Sequence, residues 1–522
     1  MNLNRAGKAK LPPLSLVSLS GAGAIDRAAM DEWGFNTFAL VESAGRKAAG
    51  VLVKTFPDFF RSAPHITVLA GSGNNGADAM ALLRALILEG CAESASSEVF
   101  ISRLPSPDGP DPRSQVYVSL AKMGTPCRAW IKGAQIEDGG VIIDGVTGAG
   151  LNGPLRGAAL EMVEAVNSRK KAAVVSIDIP SGCFDGWEPG MPMVEAGAVL
   201  AIEPLKACLY TPAARPRCGA ILPVTGIFPP ALTVNARGPG LYGWKEAQAL
   251  IPPVPPAAYK YERGLVEIRA GSPGAAGAAR IAARGAQAAG AGLVRLVVDP
   301  SIHAILAAEA GGIMVVPDSG VPAENGRFVP DAVLLGPGWG RGKDRERLLE
   351  HALEKEEQGT PLVLDADAVA LAGQRTFHGK TILTPHPGEF AAWTGIDRDE
   401  VLAHPLPLLS RIAAEKNAVI LFKSHVLYIA SCDGRTGVVD GMIPSLGTGG
   451  AGDLLAGFCA ALAARGARSG AFDGFAAALA SASLLIETAA SVKPRFIDPL
   501  ELAGKAAGIA GRAWLPGGEE RP

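Results

Sequence analysis

The chain has 522 residues, too many for one ordinary core, so two or more domains are expected. Hydrophobic residues make up 48% and charged residues 19%, which excludes a disordered chain; the 65 glycines and 40 prolines fall between apolar runs and show no collagen-like period. A formal net charge of -2 excludes a general attraction to nucleic acid or to an anionic membrane.

The first fifteen residues, MNLNRAGKAKLPPLS, lack the apolar centre of a signal peptide. The seven cysteines contain no Cys-x-x-Cys and are odd in number, which argues for reduced thiols in a cytoplasmic compartment and against a disulfide frame or zinc site. From His65 the chain alternates apolar strand-like runs with helix-like runs: HITVLA, EVFISR, GVIID, AAVVSID and GAVLAI. Ile251–Gly264, IPPVPPAAYKYERG, is a proline-dense seam. Beyond it the rhythm restarts with GLVEIRAG, GLVRLVV, DAVLLGPG, PLVLDAD, TILTPH and AVILFKS. Continuous apolar runs between turn residues suit strands buried on both faces, so each half is expected to be α/β with a parallel sheet. The apolar stretch FAAALASASLLIETAAS from Phe475 is too short and too rich in small residues to span a bilayer, and reads as a packed helix. No tandem repeat is visible. The expected domains are 1–235, a proline-rich linker over 236–262, and 263–522.

In open α/β sheets ligands bind beyond the carboxyl ends of the strands. The first such end carries Gly71-x-Gly73-x-x-Gly76, the spacing of a dinucleotide-binding turn. A nicotinamide-dependent dehydrogenase would place an acid about 20 residues on to hold a ribose hydroxyl. Glu98 is the near candidate, but it begins a strand-like run instead of ending one. Asn74, Asn75 and Asp78 are more polar groups than a simple turn needs. Helices are expected to start near Asp78 and Ala158, presenting N–H groups to phosphate.

GSGNNGAD, IDGVTGAGLNGP, SIDIPSG and the upstream VESAGRKAA resemble, in order, the NAD(P)H-hydrate epimerase family over about Leu14 to Ala231. The resemblance implies a Rossmann-like domain in which the dinucleotide is a damaged substrate. Asn74, Asn75, Gly76, Ala77 and Asp78, together with Gly148, Ala149, Gly150, Leu151, Asn152, Gly153 and Pro154, would cradle the hydrated dinucleotide. Asp178 would touch the hydrate and transfer a proton. Asn75, Asp144 and Ser181 would hold a potassium ion, and such oxygen donors suit a hard cation. Ala77 and Ala79 stand where the family has glycine, which predicts a more crowded phosphate loop. Lys206 matches a family lysine position; a snorkelling surface lysine reads the same way.

The strongest local signal in the second half is SLGTGGAGDLLAGFCAALAA, Ser445 to Ala464. A glycine run ends in Asp453 just before an apolar helix, where N–H groups and the dipole stabilise phosphoryl charge and a carboxylate can take a hydroxyl proton. Gly450-Ala451-Gly452-Asp453 is a ribokinase-like pattern. With GPGWGRG, LVLDADAVALAG and TILTPHPGEF it resembles the ADP- or ATP-dependent NAD(P)H-hydrate dehydratase family over about Leu241 to Leu515. The resemblance implies that Ala278, Gly338 and His386 line the hydrate pocket, that Asp453 is the base, and that Gly452 contacts the nucleotide. The family's Lys-Gly-x-x-Thr nucleotide element falls at Lys423, Ser424, His425, Val426 and Leu427, with Ser424 for glycine and Leu427 for threonine. ADP or ATP with magnesium would be the phosphoryl donor. None of the seven histidines shows metal-ligand spacing.

Together the halves imply a bifunctional repair enzyme acting on NADH and NADPH hydrates, expected to be a cytoplasmic homo-oligomer. The first half would interconvert the R and S hydrates. The second would phosphorylate the S hydrate and eliminate phosphate. The alternative is a ribokinase-like small-molecule kinase fused to a non-catalytic nucleotide-binding domain, which would yield a stable phosphorylated product.

Overall fold

The computed structural model describes residues 13–234, 238–320, 329–492 and 494–516. The expected boundary at 235/236 and most of the N-terminal stretch lie outside the described residues. The protein is α/β throughout and divides into two compact units, Leu14–Pro239 and Gly240–Pro522 together with residues 1–13.

The strands of the first unit are β1 (Leu14–Val17), β2 (Ile66–Ala70), β3 (Ser97–Ile101), β4 (Cys127–Ala129), β5 (Val141–Gly145), β6 (Ala173–Ile177), β7 (Ala198–Ile202), β8 (Leu205–Lys206) and β9 (Ala220–Val224). Seven of them form an all-parallel sheet in the order β4-β3-β2-β5-β6-β7-β9. Strands β2 and β5 are buried at every position, as their unbroken apolar runs require. The chain winds one way from β2 to β4 and the other way from β5 onward. The crevice beyond β2 and β5 is therefore the topological switch point, where such sheets bind ligands. Strands β1 and β8 pair in parallel.

The second unit contains β10 (Gly240–Leu241), β11 (Leu265–Arg269), β12 (Leu293–Val298), β13 (Met314–Pro317), β14 (Ala332–Leu335), β15 (Leu362–Leu364), β16 (Thr381–Leu383), β17 (Val419–Phe422), β18 (Val426–Ser431) and β19 (Thr436–Asp440). Their order is β13-β12-β11-β14-β15-β16-β17-β18-β19-β10. Pairing is parallel from β13 to β17 and antiparallel on both sides of β18. Here the switch point lies between β11 and β14. Helices Ala276–Ala288, Ala451–Arg468 and Gly474–Ala490 supply much of this unit's core. The last contains the apolar stretch from Phe475. Among the described residues no helix is long and apolar enough to cross a membrane.

The proline-rich stretch packs inside this second unit. Ile251 and Val254 are buried, Val254 N–H donates to the Trp514 carbonyl at 2.7 Å, and Trp514 Nε1 donates to the Gln248 carbonyl at 3.1 Å.

Candidate functional sites

In the first unit Gly71 follows β2 directly. A Cβ at Gly71 would overlap the Val146 carbonyl, and one at Gly76 would stand 2.8 Å from Gly71 N. Two glycines of the Gly-x-Gly-x-x-Gly spacing thus serve close backbone approach. The helix spans Asn74–Leu88, four residues earlier than the expected start near Asp78. Gly73 is its extended N-cap, so Asn74 and Asn75 are its first two residues and no side chain caps it. The second helix, Gly157–Asn167, begins close to the expected place.

A cleft beside this turn is lined by Asn74, Asp78, Ala149 and Asp178 from the strand ends, and by Lys206 and the Glu203–Pro204 corner. Leu40, Val41, Ile227 and Phe228 supply an apolar wall, and Asp26 and Met30 reach in from helix Leu19–Trp33. Asp178 directly follows β6 with φ of 66°, a left-handed backbone unusual for a non-glycine residue. Its carboxylate is ion-paired with Lys206, which is 3% exposed and also donates to the Ile202 carbonyl at 2.9 Å. Burial raises the Asp78 carboxyl well above its ordinary value, helped by Asp178 and Asp26 and opposed by Lys206. Partial burial raises Asp26 too; Lys206 opposes it, Asp178 adds to it, and Arg27 opposes it.

Behind the cleft Asp144, the last residue but one of β5, is fully buried. Ser181 Oγ and N–H donate to it at 2.5 and 2.9 Å, and Ser176 Oγ at 2.7 Å. Burial raises its carboxyl against these hydrogen bonds. It has no ion-pair partner among the described residues. Asn75 Nδ2 donates to the Thr147 carbonyl at 2.8 Å, and Thr147 N–H donates to Ser181 Oγ at 2.8 Å. Asn75, Asp144 and Ser181 are thereby brought together. A Cβ at Gly148 would stand 3.1 Å from Asn75 Oδ1, so glycine keeps that oxygen approachable.

In the second unit Asp453 lies in the first turn of helix Ala451–Arg468, after Gly450 with φ of 99° as an N-cap that offers no side chain. Three neighbouring strand ends supply the groups around it. Asp365 follows β15, the His386–Glu389 turn follows β16, and Lys423 follows β17. Lys423 Nζ lies 2.5 Å from Asp365 Oδ1 and 3.9 Å from Glu389 Oε2, and Thr384 Oγ1 donates to Asp365 at 2.7 Å. Burial, with the Asp365 charge, pushes the Asp453 carboxyl up to about 6; Lys423 opposes this and Glu389 adds to it. Burial pulls Lys423 down, but Asp365, Glu389 and Asp453 outweigh it and the net shift is upward. A Cβ at Gly452 would stand 3.4 Å from Lys423 Nζ. At the switch point a Cβ at Gly338 would stand 3.1 Å from that of Ala278, and Ser272 Oγ donates to the Gly338 carbonyl at 2.9 Å.

The family described as NAD(P)H-hydrate dehydratase matches residues 266–498, and the family described as YjeF-related protein N-terminus matches residues 37–208. A bifunctional NAD(P)H-hydrate repair enzyme of Gloeobacter violaceus is 32% identical over 479 residues, covering 87% of this chain and 90% of that one. One from Synechocystis is 30% identical over 456 residues, covering 83% and 82%. The chain belongs to the bifunctional NAD(P)H-hydrate repair enzymes. It is an NAD(P)H-hydrate epimerase and an ADP/ATP-dependent NAD(P)H-hydrate dehydratase in one polypeptide. A Bacillus subtilis ADP/ATP-dependent NAD(P)H-hydrate dehydratase, co-crystallised with ATP and Mg2+, is 23% identical with a TM-score of 0.46, covering 52% of this chain and 98% of that one.

Several sequence-predicted residues of this repair enzyme lie elsewhere than in the clefts. Ala77 and Ala79 are fully buried in the core of the first unit, so their methyl groups fill the interior and not the phosphate loop. Of Gly148–Pro154, Ala149 lines the cleft, while Gly150, Asn152 and Pro154 are exposed. Val426 and Leu427 are buried in β18, and Ser424 Oγ hydrogen-bonds the Val426 carbonyl and accepts from Val426 N–H. The Leu427 side chain belongs to the core, so a threonine hydroxyl there would have pointed into apolar surroundings. His386 caps helix Pro387–Thr394, its Nδ1 accepting from Gly388 and Glu389 N–H at 3.0 and 3.2 Å. In the neutral ring the proton then sits on Nε2, 3.3 Å from Glu389 Oε1. Sequence reasoning missed Asp26, Asp365 and Glu389, and it left Lys206 open. Asp365 and Glu389 had a usable signal, since Asp365 follows β15 within LVLDADAVALAG and Glu389 lies in the first turn of the helix after β16 within TILTPHPGEF. Asp26 had none.

Proposed function

We propose that the Asp178–Lys206 cleft performs the epimerisation and that Asp453, with Lys423 opposite, performs the dehydration. The observation that carries this reading is Asp453 itself. It is a carboxylate pushed up to about 6, at an uncapped helix start, facing a lysine. Asp453 takes the hydroxyl proton of the S hydrate as that oxygen attacks the terminal phosphoryl group of ADP or ATP. The N–H groups of Gly450 and Gly452 and the Lys423 ammonium stabilise the transferred charge. Phosphate then leaves with the C–O electron pair, the ring nitrogen donates electrons, and loss of a ring proton restores the nicotinamide double bond. Ala278, Gly338 and the His386 Nε2–H orient the hydrate. Asp365 and Glu389 fit the magnesium that accompanies nucleotide phosphates, since they are carboxylates grouped beside Lys423. Bound magnesium would neutralise phosphate charge.

In the epimerase cleft the apolar wall of Leu40, Val41 and Phe228 receives the nicotinamide-derived ring, and Asp178 moves the proton of the hydrate. Asn75, Asp144 and Ser181 fit a potassium ion. Asp144 is a buried carboxylate without a cationic partner among the described residues, surrounded by oxygen donors. Bound potassium would supply charge balance for the phosphate-binding turn. Reduced cysteines suit a cytoplasmic setting, and the homo-oligomer rests on the resemblance alone. Replacing potassium by sodium should slow epimerisation and leave dehydration of the pure S hydrate unchanged. Equal epimerisation in both salts would remove the potassium assignment.

A further inference from the structure

Inverting the carbon that bears the hydrate hydroxyl needs more than one proton transfer. The hydroxyl proton must leave as C–O becomes C=O. The C–N electron pair then goes to the ring nitrogen, which must gain a proton. Closure on the other face of the carbonyl reverses both transfers and regenerates both groups, and no oxidant or further reactant is consumed. A base and an acid are therefore required in one cleft.

The cleft holds three aspartates, Asp26, Asp78 and Asp178, and one lysine, Lys206. The lysine is ion-paired with Asp178. Asp26 and Asp78 have neither a hydrogen bond nor an ion pair among the described residues. Asp78 is the deeper, on the helix that opens from the glycine turn. Asp26 comes from a different element, helix Leu19–Trp33, and stands at the solvent-exposed rim, where it can recover a proton from water between turnovers. Of the charged groups around it, Asp178 disfavours its ionisation, while Lys206 and Arg27 favour it. Glu203, also on the cleft wall, is occupied by the Ile227 and Phe228 N–H groups.

We propose that Asp26 is the second proton-transfer group of the epimerase, giving a proton to the ring nitrogen while Asp178 takes the hydroxyl proton. The inference rests on the assignment of this cleft to epimerisation. Partial burial and the Asp178 charge raise the Asp26 carboxyl, which keeps a larger protonated fraction than an ordinary aspartate has.

The test uses the full chain without nucleotide and follows the separated R and S hydrates by chromatography. Asp26→Asn should slow epimerisation by about 10²-fold or more with KM little changed. It should also abolish the fall in rate with rising pH that an essential protonated acid imposes, and Asp26→Glu should recover part of the rate. Wild-type-like epimerisation in Asp26→Asn would overturn the proposal. So would a slowed variant that keeps the wild-type pH profile, because Asp26 would then only shape the site. Asp178→Asn separates the two levels. Full activity there removes the cleft itself, whereas loss in Asp178→Asn beside full activity in Asp26→Asn removes only the role of Asp26.

Discussion

Asp453 is subject to opposed influences: burial, Asp365 and Glu389 raise its carboxyl, and Lys423 lowers it. The result, about 6, is close to what a general base at neutral pH needs. Since the base must be ionised, the rate of S-hydrate dehydration should rise with pH through about 6 and level off above it. Lys423→Met removes the lowering charge, so the midpoint should move to higher pH and the plateau should fall. A profile flat from pH 5 to 8 would take the base role from Asp453. At this scale legibility depended on what a residue's neighbours in sequence reveal. Asp453 stands at a motif-marked helix start and Asp178 at a motif-marked strand end, and both positions were readable. Asp26 shares its helix with Asp31 and Glu32, and only the folded position distinguishes it. Ala77 and Ala79 misled in the opposite way. Sequence puts them in the phosphate turn, but the helix starts at Asn74 and its 3.6-residue period turns both into the core.

Among the elements, helices Ala276–Ala288 and Ala451–Arg468 connect fold to chemistry. The first carries Ala278 and the second carries Asp453 in its first turn. They approach closely because glycines face the partner backbone: a Cβ at Gly457 would overlap the Ala282 carbonyl, and one at Gly285 would stand 2.6 Å from the Leu454 carbonyl oxygen. Gly457→Val should therefore destabilise the second unit by about 1–3 kcal/mol or more, by overpacking. It should also weaken dehydration by moving the Asp453 turn. Gly504 lies exposed on helix Pro499–Trp514 with nothing within 4 Å of a Cβ, so Gly504→Ala should be neutral or stabilising by up to about 1 kcal/mol. Urea unfolding of the two variants checks the contrast, and equal behaviour would contradict it. The strands themselves were legible as apolar runs. The antiparallel turn at β18 was not, because a strand buried on both faces reads the same in either direction. The packing of the proline-rich stretch was also hidden, since proline density signals extended chain and not the surface it lies on.

At the scale of the molecule, the first unit gathers its candidate groups around the topological switch point between β2 and β5, whereas in the second the groups around Asp453 lie beyond the neighbouring ends of β15, β16 and β17, with Ala278 and Gly338 at the switch point between β11 and β14. Both sites lie at the ends of parallel strands, yet the groups collected there differ. A left-handed aspartate is paired with a buried lysine in the first unit; a helix-start aspartate faces Lys423, Asp365 and Glu389 in the second. In the proposed assignment the two activities belong to these two separate sets of residues. A racemic hydrate mixture with ADP or ATP and magnesium tests it most directly, with reduced nicotinamide read by its absorbance and the epimers by chromatography. Wild type should convert the whole mixture. Asp453→Asn should yield no reduced nicotinamide while still interconverting R and S. Asp178→Asn should convert the S hydrate rapidly and then slow to the spontaneous rate of epimerisation. Loss of both activities in either variant, with the protein still folded, would contradict the account.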